Sequence, residues 1–362
     1  MQFSVANYDA DEAAGNITIT VNRSGDTSAP ASVEYGTFDL GASERRDYTT
    51  ALGTLRFAPG ETTKTFLVFV TDDAYVEGTE TLSLNLSNPI GVNLGTQSSS
   101  TVTIIDNDVA PTSINPIDDT RFYVRHHYVD FLNREPDQSG LDFWMSGITA
   151  CGSEPNCLLD RRTNVSAAYF LSIEFQQTGY MVYLLQKASF GNMPRYRQFM
   201  GDTQEIGRGI VVGATGWEAQ LDANKTEFVD HWVNRPAFKT LFDGMSDSQF
   251  VDTLFLNAGI VNTAERDAMV AGLQGSTMTR SAVVRQLIQD SAFSQKEFNS
   301  AFVLMQYFGY LRRNPDDAPD NNLDGFNFWL NKLNQFNGDY IAAEMVKAFI
   351  LSTEYRSRFG QP

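Results

Sequence analysis

The sequence predicts a multidomain protein in which an all-β domain precedes an all-α domain. Within the first 110 residues, apolar and polar residues alternate in short segments such as 17–22, which is typical of half-buried strands. Turn-forming residues separate these segments, as at 58–60. Beyond residue 120 the apolar period becomes helical, because Val124, Tyr128 and Phe131 fall at i, i+4 and i+7.

The alternation predicts strands at 17–22, 54–57, 65–70, 81–86 and 101–105. Short strands at regular turn spacing favour a β-sandwich over residues 1–110. Residues 111–120 are predicted to be a linker, since Pro111 and Pro116 lie among Ser, Thr, Asn and Asp without apolar periodicity. Residues 121–362 then form the all-α domain.

Acidic residues at the predicted strand edges are the main candidate site. They are Glu12, Asp47, Asp72, Asp73, Glu77, Glu80, Asp106 and Asp108. Gathered carboxylates repel one another, so a fold that brings them together needs a cation. Several oxygen ligands without His or Cys favour Ca²⁺. The alternative is that these acids form only a solvated surface.

The same segment resembles the Calx-beta domain, a family named after the calcium-sensing domains of sodium/calcium exchangers. The resemblance rests on residues 3–5, 47–48, 57–61, 72–80 and 105–108. It implies an immunoglobulin-like sandwich with Ca²⁺ bound by loops at one end, and it places the eight acidic residues at the family's acidic positions. Asn107 departs from the pattern, because exchanger domains carry a third Asp there.

Charge and hydropathy exclude several classes of partner. The formal net charge is −17, of which residues 1–110 contribute −10. An acidic surface disfavours nucleic acid and anionic membranes. No apolar run approaches the roughly 18 residues that span a bilayer. The first three residues lead directly into a strand without a signal-peptide pattern, as expected of a mature fragment of a longer precursor or of a chain with an added Met.

Cys151 and Cys157 are the only cysteines. The five residues between them include Gly and Pro, so the chain can turn back and join them in a disulfide, which would indicate an oxidising compartment. Two free thiols are the alternative. A zinc site is disfavoured, because His126, His127 and His231 are not spaced to complete one.

The helical part contains an internal repeat. The pattern of residues 124–137 recurs 179 positions later, at 303–316, and that of residues 140–148 recurs 185 positions later, at 325–333. These offsets predict two helix–turn–helix units, 121–149 and 300–334, with six extra residues in the turn of the second unit. Trp144 and Trp329 are expected in equivalent buried positions, and Leu141 and Phe143 are expected in the core.

This pattern is similar to the bacterial domain of unknown function 4214. The matching residues are Tyr128, Leu132, Arg134, Asp137, Gly140, Trp144, Ser172, Glu174 and Phe175, and again Tyr307, Leu311, Arg313, Asp316, Gly325, Trp329, Ser352, Glu354 and Tyr355. The resemblance covers about residues 121–360. It implies secreted, surface or matrix proteins and no established activity.

The extra residues of the second turn form a weaker candidate for a cation. Asp320, Asn322 and Asp324 have the spacing of the first half of an EF-hand loop, but position twelve is Asn331 rather than Glu. An Asx-rich solvated turn is the alternative.

Catalytic motifs are not found. The Gly-rich segment 207–216 lacks the dinucleotide spacing and is predicted to be a loop between helices, and His126–His127 is predicted to pack. We therefore predict a secreted, non-enzymatic, Ca²⁺-rigidified module in bacterial adhesion or matrix assembly, with surface proteins or further copies of itself as partners. Two alternatives stay open: an extracellular hydrolase with its site in the helical part, and a filament subunit that assembles by strand addition.

Overall fold

The protein folds into two compact units. In the computed structural model, residues 1–110 and 114–362 are described. The first unit contains Met1–Tyr169, Gln306–Asn321 and Asp339–Pro362, and the second contains Phe170–Met305 and Asn322–Gly338.

The N-terminal part of the first unit is a two-sheet sandwich. Its strands are β1 Gln2–Phe3, β2 Asn7–Asp11, β3 Asn16–Asn22, β4 Ala31–Asp39, β5 Leu52–Phe57, β6 Thr63–Phe69, β7 Glu80–Ile90 and β8 Ser99–Ile105. One sheet has the order β1-β3-β6 and the other β2-β8-β7-β4-β5. All neighbours are antiparallel except β2 and β8.

The alternation seen in the sequence packs the sandwich core. Ile19 and Val21 from β3, Val68 from β6 and Leu82 and Leu84 from β7 are fully buried. All five strands predicted from the sequence are present, and the prediction of a β-sandwich followed by a helical region is confirmed.

The remainder of the described chain is helical. The helices are α1 Thr120–Leu132, α2 Gln138–Thr149, α3 Pro155–Leu171, α4 Ile173–Gln177, α5 Gly179–Phe190, α6 Tyr196–Ile206, α7 Trp217–Asn234, α8 Pro236–Phe242, α9 Asp247–Ala258, α10 Thr263–Gln274, α11 Arg280–Leu287, α12 Ser291–Gln306, α13 Asp324–Gln335, α14 Met345–Ile350 and α15 Thr353–Arg356. A π-helical segment, Tyr307–Leu311, continues α12. Among the described helices, none is long and apolar enough to cross a membrane.

The compact units do not follow the boundary expected at residue 110. The first unit combines the sandwich with α1, α2 and the last residues of the chain. Of the expected linker, residues 111–113 lie outside the described residues, while Pro116–Asp118 forms a 3₁₀ turn whose Ile117 is 1% exposed. The sandwich and part of the helical region thus form one unit, because buried polar contacts join them.

A buried ion network is the strongest of these contacts. The Asp130 carboxylate of α1 accepts hydrogen bonds from Arg312 Nη2 at 2.8 Å and from Arg358 Nη1 at 3.0 Å, and all three side chains are 4% exposed or less. Arg312 also donates to the Tyr48 carbonyl at 2.9 Å and to Thr49 Oγ1 at 2.7 Å. Burial alone would raise the pKa of Asp130, but the two guanidinium groups hold it well below its usual range.

The helical part of the first unit also confirms the predicted disulfide. Cys151 and Cys157 are joined, with their Cα atoms 5.5 Å apart, so the bond ties the segment after α2 to the first turn of α3. His126 and His127 are each 1% exposed, in agreement with the packing role predicted for them.

The two copies of the predicted repeat contain equivalent contacts. The Arg134 guanidinium lies 4.8 Å from the Tyr128 ring centroid, and Arg313 lies 5.3 Å from that of Tyr307. The residue before each arginine has a left-handed backbone, with φ of 53° at Asn133 and 48° at Arg312. These equivalences favour the repeat, which stays a prediction.

The aromatic pairs of α2 and α13 differ from expectation. Trp144 and Trp329 are both half-buried rather than buried, and each packs edge-on against the preceding phenylalanine. The expectation that Phe143 lies in the core is wrong, since 66% of it is exposed, whereas Leu141 is buried as expected. One helical face cannot bury residues 141, 143 and 144 together, because neighbouring residues project about 100° apart.

The second unit is entirely helical. The Trp232 indole of α7 donates to Ser189 Oγ of α5 at 2.9 Å and is 1% exposed. The Gly-rich segment 207–216 connects α6 to α7 through turns, as predicted, and Gly216 precedes α7 with φ of 81°.

We expect Asp130→Ala to lower the free energy of unfolding by about 3–5 kcal/mol, because it leaves two buried guanidinium groups without a counter-charge. Urea unfolding measures this. Asp118→Ala is the matched control: the Asp118 side chain is 52% exposed where it pairs with Arg356, so loss of this ion pair should cost no more than about 1 kcal/mol. Equal losses for the two variants would contradict the role given to the buried network.

Candidate metal centre

Parallel pairing of β2 and β8 gathers the first carboxylates. Asp11 lies opposite Ile105, so both strands end at the same edge of the sheet. Glu12 follows β2 directly and Asp106 follows β8 directly. The chain therefore delivers both carboxylates to one point, although 93 residues separate them.

A second contact brings in the central acidic loop. The bridge between Tyr48 and Val70 places the segments that carry Asp47 and Asp73 side by side. The Thr71 N–H donates to the Asp47 carbonyl at 2.9 Å, which fixes their register.

Among the described residues, two sets of three carboxylates can each converge on one point. Oxygen atoms of Glu12, Asp106 and Asp108 lie within 4.8 Å of one another, and so do those of Asp47, Asp73 and Glu77. We call these the Glu12 group and the Asp47 group. They contain six of the eight acidic residues predicted from the sequence.

The other two predicted residues border these groups. Glu80 forms a side-chain hydrogen bond with Asp47. Asp72 Oδ1 accepts a hydrogen bond from Asn107 Nδ2 at 3.0 Å, so Asn107 occupies one of its oxygen atoms.

The burial of these carboxylates fits a cation. Glu12, Asp47 and Asp73 are 5–6% exposed. Asp73 Oδ1 accepts from the Tyr75 N–H at 2.8 Å, but Asp73 Oδ2 is buried without a hydrogen-bond partner among the described residues. An unpaired buried carboxylate oxygen is costly, and a metal ion is the usual compensation. An all-oxygen set of this kind fits Ca²⁺ rather than a soft metal.

Burial and, after it, mutual repulsion raise the pKa values of these carboxylates. Burial, together with the charge of Asp73, raises the pKa of Glu12 to about 8. Burial, together with Glu77 and Asp47, raises the pKa of Asp73 to about 7. The pKa of Glu80 rises to about 7, first through burial and then through Asp47. A bound divalent cation would favour the charged forms and reverse these shifts.

The loop from residue 76 to residue 78 is held by Asp106. Its Oδ2 accepts from the N–H groups of Glu77 and Gly78 at 2.8 and 2.7 Å, and its Oδ1 accepts from the Asp108 N–H at 2.7 Å. Burial alone would raise the pKa of Asp106, but these bonds hold it below its usual value. The Asp106 carboxylate therefore stays charged at neutral pH.

The weaker candidate in the helical region has a different environment. In the first unit, Asp320 Oδ2 accepts from Arg313 Nη2 at 2.7 Å, so a guanidinium already neutralises it. In the second unit, Asn322 Oδ1 accepts from the Asp324 N–H at 2.8 Å, as in an Asx turn.

The sequence did not predict the residues that hydrogen-bond to the segments carrying the Asp47 group. The Tyr75 hydroxyl donates to the Gly360 carbonyl at 2.7 Å, and Arg312 donates to the backbone of Tyr48. Both contacts join residues more than 260 positions apart, and no sequence pattern signals them. Burial and the charge of Asp47 raise the pKa of Glu77, and the charge of Arg46, which precedes Asp47, offsets part of that rise.

Comparison with known proteins gives the same segment a family. The model of the Calx-beta domain matches residues 1–108. The sodium/calcium exchanger Calx of Drosophila melanogaster is 39% identical over 111 residues, which are 30% of this chain and 12% of the exchanger. The extracellular matrix organizing protein FRAS1 of Mus musculus is 32% identical over 117 residues, 31% of this chain and 3% of FRAS1.

One solved structure is similar to part of the chain. The crystal structure of the apo-form Calx CBD1 domain is 38% identical and aligns with 30% of this chain and 96% of its own, with a TM-score of 0.29. The chain thus spans only a small fraction of the curated relatives, and the helical region lies outside the family match. Residues 1–108, which contain the sandwich and both carboxylate groups, are thus similar to the Calx-beta domain.

Proposed function

We propose that the chain is a Ca²⁺-binding structural module in which ions bound by the Glu12 and Asp47 groups rigidify one end of the sandwich. The observation that supports this most directly is the buried Asp73 Oδ2, which has no hydrogen-bond partner in the described part of the chain and belongs to a carboxylate whose pKa is raised. One relative is named a sodium/calcium exchanger, which is consistent with the same ion.

The ion would act as a cross-link between segments that are distant in sequence. In the Glu12 group it joins the ends of β2 and β8. In the Asp47 group it joins the segment before Tyr48 to the loop between β6 and β7. Such a cross-link replaces carboxylate repulsion by attraction and restricts the loops, so stability and rigidity both increase with Ca²⁺.

We place this module outside the cell or at its surface. The Cys151–Cys157 disulfide is the kind of bond that persists in an oxidising environment. One relative is named an extracellular matrix organizing protein, which agrees with a role in adhesion or matrix assembly. The net charge of −17 favours protein partners over nucleic acid.

The burial of His127 and Ser166, the residue pair that most resembles a nucleophilic catalytic pair, favours a non-enzymatic role. His127 Nε2 lies 2.8 Å from Ser166 Oγ, a spacing compatible with a Ser–His pair. Both residues are 1% exposed, and burial lowers the pKa of His127 to about 4. The pair is sealed inside α1 and α3 with Tyr310, so we assign it to packing.

We expect Ca²⁺ to raise the melting temperature of the chelator-treated protein. At about 100 times the dissociation constant, binding adds about 2.7 kcal/mol, or about 5–10 °C for a unit of this size. Asp73→Asn should abolish most of the shift, because it removes a central charged ligand. Differential scanning calorimetry with and without Ca²⁺ measures both.

The matched control is Asp9→Asn. Asp9 is exposed on β2, two positions before the strand ends at Asp11, and belongs to neither group. This variant should keep the full Ca²⁺ shift. Identical melting temperatures of the unmodified protein in chelator and in millimolar Ca²⁺ would refute the proposal.

The raised pKa values predict how stability depends on pH without Ca²⁺. The folded-state pKa of Glu12 is about 8 and that of Asp73 about 7, both above their ordinary values of 4.5 and 3.8. The folded state therefore binds more protons, so these groups destabilise the fold most above pH 8 and progressively less as the pH falls towards 5.

Ca²⁺ should reverse this trend, because its ligands must be deprotonated. We expect the Ca²⁺-induced rise in melting temperature to increase between pH 5 and pH 8, and Glu12→Gln to flatten the dependence in chelator. Melting curves in one buffer series test this. A Ca²⁺ shift that falls over this interval would contradict the assignment of these carboxylates as ligands.

A further inference from the structure

The central acidic loop is bonded on its other side to the end of the chain. The Ala74 N–H donates to the Phe359 carbonyl at 3.0 Å. The Tyr75 hydroxyl donates to the carbonyls of Gly360 at 2.7 Å and Ser357 at 3.2 Å. Ala74 is 7% exposed and Phe359 is fully buried, so this contact is part of the interior of the first unit.

A candidate metal ligand, Asp73, lies next to these contacts. Asp73 immediately precedes Ala74, and its Oδ1 accepts from the Tyr75 N–H. A shift of Tyr75 away from Gly360 would therefore move the hydrogen-bond donor that orients the Asp73 carboxylate. Its free oxygen, Oδ2, is the atom that lacks a partner among the described residues.

The segment that carries Asp47 is also fixed by hydrogen bonds to residues distant in the sequence. Arg312 donates to the Tyr48 carbonyl and to Thr49 Oγ1, directly after Asp47. Arg312 is itself fixed by Asp130, which also binds Arg358, one residue before Phe359. One buried network thus supports both segments of the Asp47 group.

We infer that residues 357–360 and Arg312 are positioning elements for the Asp47 group, so that cation binding and the packing of the C-terminal segment stabilise each other. This inference rests on the proposed Ca²⁺ function and extends it to a coupling within the first unit. Coupling between two binding events is reciprocal, so each can be measured through the other. Cation binding would then affect the packing of Arg312 and residues 357–360, which do not contact the ion.

The first test compares Ca²⁺ affinity of the full chain and of Tyr75→Phe by calorimetric titration after chelator treatment. The variant keeps the ring and removes only the hydroxyl that donates to Ser357 and Gly360. We expect Ca²⁺ binding to the Asp47 group to weaken about five-fold, the effect of one lost hydrogen bond.

Tyr8→Phe is the matched control for this substitution. The Tyr8 hydroxyl also donates to a backbone carbonyl, that of Thr20 at 3.0 Å, but Tyr8 pairs with Val102 on β8, three positions before the acidic edge. Its affinity for Ca²⁺ should equal that of the unmodified chain.

The second test needs no variant. Hydrogen exchange of the unmodified chain, with Ca²⁺ and with chelator, follows the amides of Ala74 and of residues 357–360. We expect Ca²⁺ to slow their exchange, while peptides from α9 in the second unit serve as the reference.

The outcomes separate this inference from the proposed function. Weaker binding in Tyr75→Phe alone, with slower exchange at the C-terminal segment, supports the coupling. Unchanged affinity and unchanged exchange in a protein that does bind Ca²⁺ overturn the coupling and leave the Ca²⁺ function intact. If the unmodified chain binds no Ca²⁺, both are overturned.

Discussion

Electrostatic repulsion between buried carboxylates is the constraint on which this architecture depends. The ends of β2 and β8, the segment before Tyr48 and the loop between β6 and β7 together carry six carboxylates, which lie in two groups of three. Folding without a cation forces some of them to bind protons, as the pKa values of Glu12 and Asp73 near 8 and 7 indicate. The apolar core of the sandwich, which includes Ile19, Val68 and Leu82, contains none of these acids. The acids at the edge therefore lower the stability of the fold without a cation, which is typical of functional residues. Ca²⁺ is the ion whose preference for several oxygen ligands matches these donors.

On the side away from the carboxylates, the segments that carry Asp47 and Asp73 pack against the interior of the first unit. Arg312, Asp130 and Arg358 form a buried network whose charges depend on one another, and that network ends at the backbone next to Asp47. The loop that carries Asp73 therefore contacts the candidate cation site on one side and residues 357–360 on the other. This arrangement explains why the compact unit includes the last residues of the chain rather than ending at residue 110. It also provides a route by which a bound ion could alter the helical part.

The degree to which the sequence predicts this structure depends on the range of the interactions. Period-2 alternation predicts β3 and β6 because each strand has one buried face. It misses β4, where Gly36 interrupts the pattern and the register shifts between Ser32 and Glu34. The acidic residues could be predicted because they follow strands or precede them at recognisable positions. The supporting contacts could not, since the Tyr75–Gly360 bond joins residues 285 positions apart and neither residue type is unusual. Phe143 was misplaced because hydrophobicity alone does not specify which face of α2 is covered.

The most direct test of the central claim is diffraction from crystals of the full chain grown with Ca²⁺, with anomalous difference maps at a long wavelength. The account predicts a peak in each carboxylate group, with Asp73 Oδ2 as a ligand of the ion in the Asp47 group at about 2.3–2.6 Å. Maps without peaks at millimolar Ca²⁺, with the carboxylates instead hydrogen-bonded directly to one another, would show that protons rather than a metal ion relieve the repulsion and would contradict the account.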